Sequence, residues 1–164
     1  MTEAVQDARQ RLVEVGGRTS QDLGLGRIPG QILVFLYLRE NECSLDEIEA
    51  ELGLSKAAVS TSAKQLENLG LLRRVWRKGD RKCYYRTADD MATALQQGVL
   101  VFMKQRMQQV SGELDAAATT LKDAADGGAN GDVRFVLKRV KRAQQLRDRI
   151  ARILRSPILR IFAR

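Results

Sequence analysis

Between Ser44 and Arg86 the chain carries start and stop signals in an order that few folds accommodate. Ser44 is followed three residues later by Glu47, a capping box that opens a helix ahead of an apolar pattern. Leu45, Ile48 and Leu52 recur at helical spacing and give that helix one face to bury. Gly53 supplies a left-handed stop, Leu54 anchors the turn, and Ser55 is a good N-cap for a second helix. The second helix ends at Gly70, again a C-terminal glycine. A strand-like run, Leu71 to Arg77, then leads through the turn Lys78-Gly79-Asp80-Arg81 into a return strand, Lys82 to Arg86.

The second helix has two faces. Val59, Ser62, Ala63, Leu66 and Leu69 line one, which reads as core. Lys56, Ala57, Ser60, Thr61, Lys64 and Asn68 line the other. That face is small, polar and basic and carries no carboxylate; Glu67 sits off it. A DNA major groove asks for those properties: close backbone approach, hydroxyls for base edges or phosphates, and lysine for phosphate or guanine. Between residues 71 and 87 the bases are Arg73, Arg74, Arg77, Lys78, Arg81, Lys82 and Arg86, against the single acid Asp80. A hairpin that touches phosphates or enters the minor groove needs such an imbalance. Helix, tight turn, reading helix and basic hairpin make up a winged helix-turn-helix. The bland alternative, a solvated basic hairpin on another small domain, does not explain why all four signals come in this order. The candidate DNA-binding residues are Ser55, Lys56, Ala57, Ser60, Thr61 and Lys64 on the helix, with Arg77, Lys78, Arg81 and Lys82 on the wing.

The segments G-R-I-P-G-Q-I-L-V-F-L-Y-L, L-G-L-S-K-A-A-V-S-T, L-E-N-L-G-L-L-R-R-V-W and G-D-R-K-C-Y-Y resemble the GbsR/MarR-type transcriptional regulators of prokaryotes, over roughly residues 24 to 90. The resemblance implies a homodimer, a winged-helix reader, flanking helices that hold the dimer, and an effector whose chemistry no residue specifies. Wings of that type commonly carry Asp-x-Arg. Here Asp80 and Lys82 occupy those positions with Arg81 between, so either Arg81 or Lys82 is the groove-entering side chain. Some relatives sense choline-like ligands, which need an aromatic cage. Outside the wing the aromatics are Phe35, Tyr37, Phe102, Phe135 and Phe162, poor material for one.

Composition narrows the classes further. The 164 residues allow one domain or a small domain with appended helices, and 44% hydrophobic content is enough for a core. Lys and Arg total 28 against 20 acids, a net +8 that suits a polyanionic partner. The absence of histidine removes His-based acid–base catalysis and His metal ligands. There is no Gly-rich phosphate loop and no paired-acid constellation, so the reading is not an enzyme, with no cofactor and no metal. Cys43 and Cys83 alone cannot make a zinc site and read as reduced thiols, Cys83 being the better redox candidate beside Arg81 and Lys82. The polar start Met1 to Gln10 carries no signal peptide, and the longest apolar run, Ile32 to Leu38, is too short to span a bilayer; the expected location is cytoplasmic.

Around the central module the chain reads as mostly α. Residues 1–26 form an N-terminal dimerisation helix, Thr2 to Val15 with Val5, Ala8, Leu12 and Val15 as its stripe, and a flexible connection marked by Gly16, Gly17, Gly24 and Gly26. Residues 27–88 are the winged helix-turn-helix, opened by a buried helix with Pro29 in its first turn. Residues 89–164 are a helical dimerisation hairpin. Its first helix keeps the stripe Met91, Leu95, Val99, Phe102, Val110, Leu114, Ala117 and Leu121 to about Asp126. Its second starts at Asp132, has Val133, Val136, Leu137, Val140, Ile150, Ile153 and Leu154 as its apolar side, and ends before Pro157 and a short tail. The opposite side carries Arg134, Lys138, Arg139, Lys141, Arg142, Arg147, Arg149, Arg152 and Arg155. Three readings of that side stay open: a solvated face, phosphate contacts, or a membrane-surface helix. The runner-up function is an architectural or protein-interaction module that binds DNA without sequence preference.

Overall fold

The computed structural model describes residues 3–128 and 131–155. Six helices and three short strands follow in the order α1 (Glu3–Asp22), α2 (Arg27–Tyr37), β1 (Cys43–Ser44), α3 (Leu45–Leu52), α4 (Lys56–Asn68), β2 (Leu72–Val75), β3 (Tyr84–Thr87), α5 (Met91–Asp126) and α6 (Gly131–Arg155). One compact unit runs to Gly98 and a second begins at Val99.

In the first unit, the apolar run after Pro29 is the helix α2, and it lies at the centre. Ile32 is fully buried, with Ile48 from α3, Val59 and Leu66 from α4, Leu72 from β2 and Tyr85 from β3 all at 2% exposure or less. The helix ends behave as their sequences require. Ser44 Oγ accepts from the Glu47 amide while the Glu47 carboxylate takes the Ser44 amide at 2.6 Å, closing the capping box. Gly70 sits at φ 75°, and the amides of Gly70 and Leu71 return to the carbonyls of Glu67 and Leu66, each at 2.9 Å. That pair of bonds is a Schellman stop, which an L-residue at Gly70 would strain.

The wing strands pair antiparallel in the register Leu72↔Thr87 to Val75↔Tyr84. A third strand not read from the sequence, β1, adds to β3 through Cys43↔Tyr85 and Ser44↔Tyr84. Two extended residues, the second of them the helix cap itself, are too short to show periodicity. Arg73 and Arg86 face each other across the ladder, where like charges repel. Asp89 relieves this by bonding both, Arg73 at 2.6 Å and Arg86 as well.

The N-terminal reading needs correction. The helix does not stop at Val15, and Gly16 and Gly17 are not a linker: α1 continues through them to Asp22. A Cβ on Gly16 would lie 2.3 Å from Val34 Cγ2, and one on Gly30 would lie 2.3 Å from the Gly16 carbonyl oxygen. The glycines are where α1 and α2 touch backbone to backbone. Val13 and Gly17 are the buried residues of α1, whereas Val5, Leu12 and Val15, the expected stripe, are exposed.

The helix α5, whose first turns belong to the first unit, and α6 keep close to the expected lengths. Asp90 starts α5 by accepting from the Thr93 amide at 3.1 Å. Val133, Leu137 and Val140 are half-buried, but Val136, Ile150 and Ile153, assigned to the same side, are exposed, as are Phe135 and Leu146. The sequence stripe therefore splits in two. Arg147 is tied to Asp115 at 2.8 Å and to Asp148 at 2.9 Å, so it belongs to the α5–α6 contact rather than to the basic face. Pro157 and the tail from Ile158 lie outside the described residues, as do the side chains of Leu154 and Arg155.

Candidate nucleic-acid interface

Ser55 caps α4, its Oγ accepting from the Ala58 amide at 3.4 Å. From that start the helix turns Val59, Ser62, Ala63, Leu66 and Leu69 into the core. Lys56, Ala57, Ser60, Thr61, Lys64 and Asn68 come out exposed together on the opposite side. No acid stands on that face.

The wing turn is built by its own acid. Asp80 accepts from the Lys82 amide at 2.9 Å and from the Tyr84 hydroxyl at 2.6 Å. Those two bonds, the hydroxyl first, hold the Asp80 carboxyl below the usual range, and the bond to Asp80, with burial, pushes the Tyr84 phenol up. Gly79, at φ 86°, supplies the left-handed step of the turn. The Arg77 guanidinium lies over the Tyr84 ring, 4.1 Å from its centroid, and bonds Glu42 at 3.0 Å.

The wing is far less cationic than its sequence. Five of its seven bases meet carboxylates brought in from elsewhere. Arg73 and Arg86 pair with Asp89, Arg74 with Glu67, Arg77 with Glu42, and Lys82 with Asp46 at 3.2 Å. Lys78 and Arg81 have no ion-pair partner among the described residues, and neither does Lys64 on α4. Lys56 shares Asp46 with Lys82, at 3.4 Å. Hydrogen bonds from Lys82 and then Lys56 hold the Asp46 carboxyl below its ordinary range.

Sequence reasoning missed Asp46 and Glu42. Asp46 sits in the first turn of α3, where an acid suits the helix dipole and needs no second explanation. Glu42 precedes a strand that was not foreseen. Both cysteines are free thiols; Cys43 is buried, and burial pushes its thiol up, while Cys83 is half-buried.

A model of the MarR family matches residues 23–82, the stretch from just before α2 to the far side of the wing turn. Over residues 23–82 the chain is therefore similar to the MarR family. That is a family of transcription regulators rather than of enzymes. The HTH-type transcriptional repressor GbsR of Bacillus subtilis (strain 168) is 32% identical over 79 residues, 48% of this chain and 43% of that protein. The alignment thus spans less than half of the curated relative's length. A crystal structure of a transcriptional regulator matches 95% of this chain and 95% of its own with a TM-score of 0.63 at 23% identity. That likeness extends the shared fold beyond the MarR-type segment to the flanking helices. Among the described residues no helix is long and apolar enough to cross a membrane.

Proposed function

We propose that this chain is a sequence-specific DNA-binding transcription regulator that acts as a homodimer on a roughly palindromic operator, with half-sites about one DNA turn apart. The observation that carries the reading is the acid-free face of α4, with Ser60, Thr61 and Lys64, on the same winged helix as the wing cations Lys78 and Arg81, where Lys64, Lys78 and Arg81 have no ion pair among the described residues. The helix face supplies base-edge contacts and the wing supplies phosphate or minor-groove contacts. Of the two candidates at the wing turn, Arg81 is the freer to enter a groove, since Lys82 is held by Asp46. Effector control fits a cleft of about 380 Å³ between α1, α2 and α3, floored by Val13, Phe35, Leu38 and Leu52 and crossed by the Arg39–Glu51 pair. Selection of bound duplexes from random DNA, followed by footprinting, tests the reading. A discrete protected palindrome supports it.

A second reading has one observation behind it. Arg134, Lys138, Lys141, Arg142, Arg149 and Arg152 on α6 have no ion pair among the described residues. An architectural protein would use such a face on any sequence, and uniform footprint coverage would favour it.

A further inference from the structure

Among the described residues Asp46 is the one carboxylate that pairs with a lysine of α4 and a lysine of the wing at once. Its Oδ1 accepts from Lys56 Nζ at 3.4 Å, and its Oδ2 pairs with Lys82 Nζ at 3.2 Å. Lys56 opens the reading helix, and Lys82 stands just past the wing turn. An acid in the first turn of α3 is already well placed for the helix dipole, but that role does not need two lysines from two other elements. All three side chains are about half exposed or more, at 48%, 73% and 56% for Asp46, Lys56 and Lys82. Pairs so well solvated are weak, and a DNA phosphate can displace them.

We propose that Asp46 is a specificity-determining residue of the DNA surface: an internal counter-anion that occupies Lys56 and Lys82 until phosphate replaces it. The inference rests on the DNA-binding reading above. Binding to arbitrary DNA is almost wholly the gain from neutralising phosphates. Two lysines already neutralised from within reduce that gain. At an operator, base contacts from α4 fix the register, so lysines held at set positions by Asp46 meet phosphates at set positions. This pre-placement offsets part of the cost there and none of it on random sequence, where no register is favoured. Asp46 therefore depresses random binding more than operator binding and widens the ratio between them.

The test uses the full chain, a selected operator duplex and a scrambled duplex of the same composition, titrated at several salt concentrations. Asp46→Asn should tighten binding to the scrambled duplex roughly two- to ten-fold, since two weak, solvated pairs are released. Operator affinity should rise less. The slope of log affinity against log salt should steepen, by up to about 0.9 for each lysine newly committed to phosphate. Adding Lys56→Gln and Lys82→Gln should abolish the gain. Glu40→Gln removes the same charge from an exposed residue without an ion pair among the described residues, and should move scrambled binding much less. If Asp46→Asn lowers the melting temperature, Asp46→Ser repeats the measurement. Scrambled affinity that stays constant, that is matched by Glu40→Gln, or that falls together with operator affinity overturns the proposal. A wild-type chain that binds neither duplex fails earlier and takes the DNA-binding reading with it.

Discussion

Ser60 and Lys64 on α4, and Arg81 and Lys82 at the wing turn, separate two kinds of contact with DNA. Arg81→Ala with Lys82→Ala should weaken operator and scrambled DNA by similar factors, and each lost phosphate contact should flatten the salt slope by about 0.9. Ser60→Ala with Lys64→Ala should hurt the operator more, by about 1–3 kcal/mol per lost base contact. Titrations of both double variants on both duplexes check this, and the reverse pattern would exchange the roles of helix and wing. A second residue-scale expectation concerns the capping box. The Ser44 amide and hydroxyl hold the Glu47 carboxyl below its ordinary range. A carboxyl with a depressed folded pKa adds stability that is complete above its unfolded pKa and is lost as pH falls through the folded one. Glu47→Ala should therefore melt lower than wild type at neutral pH, with the gap closing as pH drops below the usual glutamate range. At this scale the sequence was legible wherever neighbours along the chain decide the outcome. Every residue placed on the core side of α4 is buried, and every one placed on the opposite side is exposed, because helical period fixes both. Ion pairing was not legible, because Glu42, Asp46 and Asp89 reach the wing from outside it.

Among the elements, α1 shows how one residue type carries opposite messages. A glycine pair after an amphipathic stretch signals a break, yet at Gly16 and Gly17 the missing side chains let two helices meet. Only the partner helix reveals which meaning applies, and nothing in the spacing of α1 names α2 as that partner. Gly16→Ala should destabilise by about 1–3 kcal/mol through overpacking against Val34. Gly112, in the middle of α5, has open space where a Cβ would go. Gly112→Ala should stabilise by roughly 0.5–1 kcal/mol through helix propensity alone. Leu66, 1% exposed under the reading helix, should cost about 2–5 kcal/mol when cut to Ala. Thermal or urea melts of the three variants rank them, and a loss at Gly112 would place another chain against that turn.

For the whole molecule, the second unit poses the remaining physical question. Beyond Gly98 no described residue reaches full burial. Two helices alone bury little, and long isolated helices are stabilised mainly by packing an apolar face. Phe135 at 58% exposed, Leu146 at 60% and Ile153 at 63% stay uncovered within the unit. On α1, Val5, Leu12 and Val15 are uncovered too. A second copy of the chain covers such faces without any new sequence, which is why the homodimer is the assembly proposed. Sedimentation at micromolar concentration should then give two chains. Leu146→Asp places a charge on the apolar side of α6 that α5 does not cover, so it should shift the protein toward monomer. Its effect on the first unit should be small, because the winged helix has its own core around Ile32 and Ile48. DNA affinity should fall much more than the melting temperature of that unit, since two half-sites are bound by linked readers and one half-site by a single reader. A wild-type monomer at these concentrations would remove both the dimer and the palindrome, and a Leu146→Asp protein that stays dimeric would move the contact to the α1 face.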